Sequence, residues 1–263
     1  MKKEKNIWWD KSIALVEGCS PVSVGCAHCW SAGMANRFRP ELTTEGHFNG
    51  KIICREDRLA EILKRRKPTR WAIWNDLFHP QVPFEFIQKV FAVAIAADWH
   101  IFQFLTKQPQ RALLFADWFL QRTGLRLNSF SHLWMGVSAE NQEQADKRIP
   151  LLLQTPAAVR FVSVEPMLGA VEIEKYLRCQ GCGYTELDKR IQGDHHLCTS
   201  PTNILDWVIC GGESGPGARP MQLEWARDLR DQCKQSGVPF FMKQIDKKTA
   251  IPNDLMVREY PNE

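Results

Sequence analysis

Three cysteines stand close together near the start of the chain. Cys19, Cys26 and Cys29 follow the spacing C-x6-C-x2-C in the stretch EGCSPVSVGCAHCWSAGMANRF, which then runs into what reads as a helix. A structural zinc ion takes four ligands. The nearest fourth donor, His28, sits between two of the thiols, where it would be strained into the same tetrahedron. Three thiolates instead leave one iron of a 4Fe–4S cluster without a protein ligand. That iron can chelate the amino and carboxylate groups of S-adenosylmethionine (SAM), and an electron from the cluster then cleaves the sulfonium to a 5′-deoxyadenosyl radical. Ser20, Gly25 and Ala27 are small enough for the loop to wrap a cluster, and Trp30 can cover it. The spacing leaves two alternatives open: a zinc site completed by a distant histidine, or two structural cysteines with an incidental third.

A second group lies in LRCQGCGYTELDKRIQGDHHLCTSP, residues 177–201. Cys179 and Cys182 form a CxxCG knuckle, and Cys198 with His195 or His196 completes a Cys3His set suited to zinc. So short an insertion has no core of its own and needs a metal to order it. An auxiliary iron–sulfur cluster is the alternative. Cys54, Cys210 and Cys233 read as inert thiols, the last two on an apolar strand and a helix.

These side chains need elements to position them. The 263 residues are 44% hydrophobic and 24% charged, with a net charge of +4, which excludes disordered and fibrous classes and argues for no particular anionic partner. No apolar run reaches membrane-spanning length, and MKKEKNIWWDK lacks the apolar centre of a signal peptide, so a cytoplasmic, non-membrane protein is expected. Reduced thiols in that compartment make the nine cysteines metal ligands or core residues rather than a disulfide framework.

Short apolar runs at Arg70–Asn75, His100–Thr106, Leu133–Ser138, Arg160–Glu165, Trp207–Gly211 and Val238–Lys243 predict strands buried on both faces, with Ser12–Val16 as a seventh. Helical spacing separates them at Arg55–Arg66, Phe84–Ala97, Pro109–Thr123, Gln142–Gln154 and Leu223–Ser236. Strand and helix alternate in units of about 30 residues, which predicts an α/β fold: a partial (βα)6–7 barrel, with a doubly wound open sheet as the alternative. The barrel is assigned to residues 1–245, interrupted by the Cys/His insertion at 177–201, and residues 246–263 are expected to form a loose C-terminal extension.

In parallel α/β proteins reactive groups gather where strands end. Those positions hold Asn75, Asp76 and His79, then Thr106 and Lys107, then Ser138, Glu140 and Asn141, then Ser163 and Glu165, and finally Lys243 and Gln244. The sixth strand runs into GGESGPGARP, where Gly211 and Gly212 allow close backbone approach and Glu213, Ser214 and Arg219 offer hydrogen-bonding groups. The stretch is neither a P-loop nor a dinucleotide fingerprint. It reads as a loop touching the polar end of a cofactor, or as a plain turn into the next helix.

The blocks GCSPVSVGCAHCW, WNDLFHPQVPFEFI, FLTKQPQR, WMGVSAENQEQADKRIPLLLQTPAAVRFVSVEPMLG and DWVICGGESGPGARPMQLEWARDLRDQCKQSGVPFFMKQ cover most of the chain. On them the chain resembles a phage-associated and bacterial family of radical-SAM-like proteins with a three-cysteine motif. The resemblance implies a radical-SAM-type partial barrel with a 4Fe–4S cluster on Cys19, Cys26 and Cys29, although C-x6-C-x2-C departs from the C-x3-C-x2-C of most such enzymes. It places Asn75 and Asp76 where the superfamily holds the SAM amino group, and Ser138 and Glu140 where it holds the ribose or carboxylate. The common family form has Ser-Met-Ser-Asp where this chain has Ile73-Trp74-Asn75-Asp76, so only the Asp is shared. Lys107, Glu165, Glu213, Arg219 and Lys243 are further candidates for SAM or substrate contacts. A radical reaction also calls for an electron donor such as flavodoxin or ferredoxin, and the phage association points to a nucleotide or nucleic-acid substrate, with a small molecule as the other class. The competing expectation is a zinc-binding barrel that recognises or hydrolyses nucleic acid. No HxxEH, HxH or paired-Asp arrangement supports the hydrolytic form.

Overall fold

Strand β1 (Lys11–Ile13) opens a sheet whose later members are β2 (Arg70–Ile73), β3 (Ile101–Thr106), β4 (Leu133–Ser138), β5 (Val159–Val164), β6 (Trp207–Gly211) and β7 (Phe240–Gln244). A computed structural model describes residues 7–178, 204–215 and 217–261. All seven strands are parallel and lie side by side in sequence order, and the sheet curls into a half-barrel. The connecting helices are α1 (Trp30–Phe38), α2 (Leu59–Lys64), α3 (Phe84–Ala96), α4 (Pro109–Thr123), α5 (Gln142–Gln154) and α6 (Leu223–Ser236). No helix among the described residues is long and apolar enough to cross a membrane.

The expected elements recur within a few residues, with physical reasons for most shifts. The first strand stops at Ile13 because Val16–Glu17 turns away and pairs antiparallel with Ile53–Cys54. The last begins at Phe240, after Pro239, which has no N–H to give to a ladder. Helix α4 starts on Pro109 and stops at Gly124 in a left-handed conformation (φ 73°). Helix α5 is capped by Asn141, whose side chain accepts from the Gln144 N–H at 3.0 Å.

Strand residues alternate between two cores. Phe102, Phe104, Met135, Val137, Val162, Val164, Val208 and Met242 face the helices in one large cluster. The intervening residues Trp134, Phe161, Trp207, Ile209 and Phe241 form a second, mostly aromatic cluster with Trp8 on the concave side. Among the described residues that side is therefore filled by rings and the N-terminal segment rather than by helices, which separates this fold from a doubly wound sheet. At the centre of this layer Gly136 faces Phe161, and a Cβ there would lie 2.4 Å from the ring.

The C-terminal residues correct the expectation of a loose extension. Ile251 and Leu255 are buried. Met242 donates to the Val257 carbonyl at 2.8 Å, and Arg258 bridges Phe241 antiparallel. Tyr260 packs on Trp207 and Phe241 and lies under Arg70, whose guanidinium is 3.9 Å from the ring centre. Apolar residues at this spacing cap the edge strand and close the concave side.

Replacing Gly136 with alanine is expected to lower stability by about 1–3 kcal/mol, the usual cost of overpacking a filled core. A lower urea midpoint with an unchanged slope checks it.

Candidate functional site

Residues 18–29 connect the Val16–Glu17 strand pair to α1, with Cys29 as the residue before its first turn. Apart from one short 3-10 turn at Val24–Cys26, this loop has no regular structure. Side chains from four later parts of the chain hold it. Gln81 N–H donates to Nδ1 of His79 at 3.2 Å, which leaves Nε2–H to donate to Ser20 Oγ at 2.9 Å. Glu140 accepts from the Gly25 N–H at 3.3 Å. Lys107 Nζ donates to Ser23 Oγ at 3.4 Å and to Cys26 Sγ at 3.6 Å. Arg219 donates to the Val24 carbonyl at 3.0 Å.

The Glu140 carboxylate anchors these contacts. Its side chain has no exposure, and Arg148 of α5 donates to it at 2.9 Å. Lys107 lies 3.8 Å away. Burial favours the neutral acid, yet Lys107, Ser23 and Arg148 together hold the Glu140 carboxyl below its ordinary value. A Cβ on Gly25 would come 2.9 Å from Glu140 Cδ, so only glycine lets the loop approach this closely.

The three thiols are free, half-buried and unequal. Burial, with the Asp76 charge and the other two thiols adding to it, pushes Cys19 up to about 12. Burial also raises Cys29, against the N–H groups of Ala32 and Ser31. For Cys26, burial is outweighed by the Lys107 ammonium and by local hydrogen bonds, and its thiol titrates below the ordinary value. Among the described residues no three Cys, His, Asp or Glu side chains converge as ligands of a metal ion. As placed, the trio therefore favours neither zinc nor a cluster by its convergence. The donor chemistry is three free sulfurs on one loop, which suits an iron–sulfur cluster or zinc alike.

All three thiols line one cavity of about 240 Å³ that also takes in Asn75, Asp76, Lys107 and Ser138. An adjoining lobe of about 220 Å³ shares Cys29, Lys107 and Ser138 and adds Glu165, Gly212, Glu213, Ser214 and Lys243. Asp76 is held by Thr106 Oγ1 at 2.7 Å, the Lys107 N–H at 2.9 Å and the Phe78 N–H at 3.0 Å. Burial nevertheless raises its carboxyl above the ordinary value. Oδ2 accepts one of these three bonds, so it retains acceptor capacity on the cavity side. Asn75 has φ 62° and both ends of its amide are committed: Nδ2 to the Val16 carbonyl and Oδ1 to Ser31, each at 2.8 Å. It positions the β2 end against α1. Lys243 and Glu165 form an ion pair, and the Lys243 ammonium lies 5.3 Å from the Trp9 ring centre.

The glycine-rich loop is tied to the cysteines. Arg219 donates its N–H and Nε to Glu213 Oε2 at 2.8 and 3.1 Å, while its Nη2 reaches both Glu213 Oε1 and the cysteine loop. Against burial, Arg219 holds the Glu213 carboxyl below its ordinary value. Gly217 backs onto the His28 ring. Glu213 and Arg219 thus act as a clamp between loops, while Gly211 ends β6 with its Cα side toward Glu165 and Lys243. Cys54 is half-buried, and Cys210 and Cys233 are buried thiols pushed well above the ordinary value. The second metal set, Cys179, Cys182, His195, His196 and Cys198, lies outside the described residues.

A family described as proteins of unknown function, DUF5131, matches residues 4–256. The chain belongs to the DUF5131 family. No curated protein and no solved structure matches it. The family description names neither radical SAM chemistry nor a phage association.

In this DUF5131 chain the strand-end expectations come together at one mouth, but the helper residues were not anticipated. Arg148 falls on the apolar stripe of α5 with Ala145, Ile149 and Leu152, and a charge on such a stripe is a sequence signal of a buried partner. Gln103, fully buried in the run IFQFL, is a second polar residue among apolar ones that the sequence reading passed over.

Replacing Arg148 with methionine leaves Glu140 without its hydrogen-bonded cation, with Lys107 3.8 Å away, and is expected to remove about 3 kcal/mol. Because the Glu140 value is depressed on folding, its contribution is present above the ordinary carboxylate range and lost as pH falls through the depressed value. The stability deficit of the variant should therefore be greatest near neutral pH and shrink as pH falls through the carboxylate range, read from urea midpoints at several pH values.

Proposed function

We propose that this protein is a radical SAM enzyme in which Cys19, Cys26 and Cys29 hold a 4Fe–4S cluster. The observation that supports this reading is the placement of three thiols from one loop on the rim of a single cavity, at the C-terminal mouth of a parallel half-barrel. When bound, the cluster and SAM would supply a 5′-deoxyadenosyl radical by reductive cleavage, for hydrogen abstraction from a substrate.

The chain's own residues prepare that mouth. Cys26, held low beside Lys107, is the readiest thiolate of the three. Cys19 and Cys29, held high by burial, give up protons on ligation, so loading is favoured by rising pH. Asp76 presents its carboxylate to the cavity and suits an ammonium group, while Asn75 fixes the turn that aims it. Ser138 lines both lobes and suits a hydroxyl or carboxylate partner. Lys243 and Glu165 line the adjoining lobe and suit the polar end of SAM or a substrate. Trp8 and Trp9 line both lobes with apolar rings. Electrons would come from a flavodoxin- or ferredoxin-type donor.

Protein purified without oxygen should be brown and carry about four irons per cluster. With SAM and dithionite it should release 5′-deoxyadenosine. Alanine at Cys19, Cys26 or Cys29 should cut iron content and end that release together. Zinc in place of iron on the trio, after anaerobic reconstitution, would overturn the reading in favour of the zinc-binding barrel.

A further inference from the structure

We infer that the concave side of the half-barrel holds a subsite that reads the hydrogen-bonding edge of a planar ring amide or amidine, of the kind a nucleobase carries, with Gln103 as the reading residue. The inference deepens the proposal above by naming the chemical class the site would act on. It rests on that reading for the chemistry but not for the binding.

Gln103 sits in mid-strand on β3, paired in register with Ala72 of β2 and Trp134 of β4. Its neighbours Phe102 and Phe104 face the helices, so its side chain faces the concave side. It lines the same cavity as the three thiols. The residue is fully buried, yet neither Oε1 nor Nε2 has a hydrogen-bond partner among the described residues. An unmet carboxamide is expensive in a protein interior, and such a group is kept where something else satisfies it. Two more donors or acceptors without a partner, Ser163 Oγ and Trp8 Nε1, belong to residues lining the adjoining lobe. Ser163 lies on the concave face of β5, two residues after Phe161.

The chemistry of these atoms selects the ligand. A carboxamide offers an acceptor and a donor side by side, which complements a lactam or amidine edge, as glutamine does when it grips adenine. It supplies no charge, so a phosphate or carboxylate would gain little from it. The indoles of Trp8, Trp9 and Trp30 line both lobes, and flat rings of this kind stack on planar heterocycles. Two sources carry this edge: the adenine of a bound SAM, or the base of a separate substrate.

Calorimetric titration of the full chain with S-adenosylhomocysteine, adenosine and uridine distinguishes them. Gln103→Met keeps the shape and removes the edge. It should weaken at least one probe by about tenfold or more, while N6,N6-dimethyladenosine and 3-methyluridine, whose edges are blocked, should bind wild type about as weakly as the parent probe binds the variant. Loss confined to S-adenosylhomocysteine and adenosine assigns Gln103 to the cofactor's adenine. Loss of uridine, with S-adenosylhomocysteine unchanged, assigns it to a separate base. The methylated probes test the subsite on wild type alone, should the variant fold poorly. No binding of any probe, or equal binding to wild type and a folded Gln103→Met, would overturn the inference and leave Gln103 serving a buried water. Iron content and 5′-deoxyadenosine release, measured on the same preparations, report separately on the radical reading.

Discussion

A carboxylate with no exposure to water must find its partners inside the protein, and Glu140 finds them on three different elements. Arg148 reaches it from α5, Lys107 from the end of β3, and Gly25 through a backbone N–H of the cysteine loop. Withdrawing any one leaves charge in a low-dielectric interior, so the three are registered against each other. The loop has almost no hydrogen-bonded structure of its own, and this buried charge fixes where its thiols stand relative to the strand ends. His79 and Arg219 add two further anchors, one on each side. Flexible segments become accurate sites when rigid elements hold them this way.

The same network sets the electrostatics. Lys107 is shared between Glu140 and Cys26, so one ammonium steadies the loop and lowers a thiol. Cys19, further into the protein and beside Asp76, is pushed the other way. Three chemically identical side chains on one loop thus differ in their readiness to ionise, because their neighbours come from different strands.

The concave face is where the half-barrel departs from a simple packed layer. Its floor is aromatic and closed by Trp8 and Tyr260, from opposite ends of the described chain, while polar residues at Gln103, Ser138 and Ser163 interrupt the apolar face above it. Polar groups buried among rings are costly unless a ligand or water meets them. Their concentration around the cavity that the thiols line gives that cavity its chemical character.

Much of this architecture was legible in the order of residues. Strands apolar on both faces, alternating with amphipathic helices, can only bury themselves as a parallel sheet under helices, and the parallel arrangement then carries every strand end to one mouth. The cysteine spacing, Asp76, Lys107, Glu140 and the glycine-rich stretch were therefore visible as a set. Their division of labour was not. Asn75, Glu140 and Glu213 look like ligand contacts along the chain, yet folding commits their polar atoms to Val16, Arg148 and Arg219. Likewise, apolar residues in the final stretch looked like a trailing end until β7 offered them an edge to cover. Local patterns report which surfaces must be hidden, because burial depends on periodicity. Which polar atoms remain open to a ligand depends on distances between residues far apart in the chain, and only the packed fold sets those.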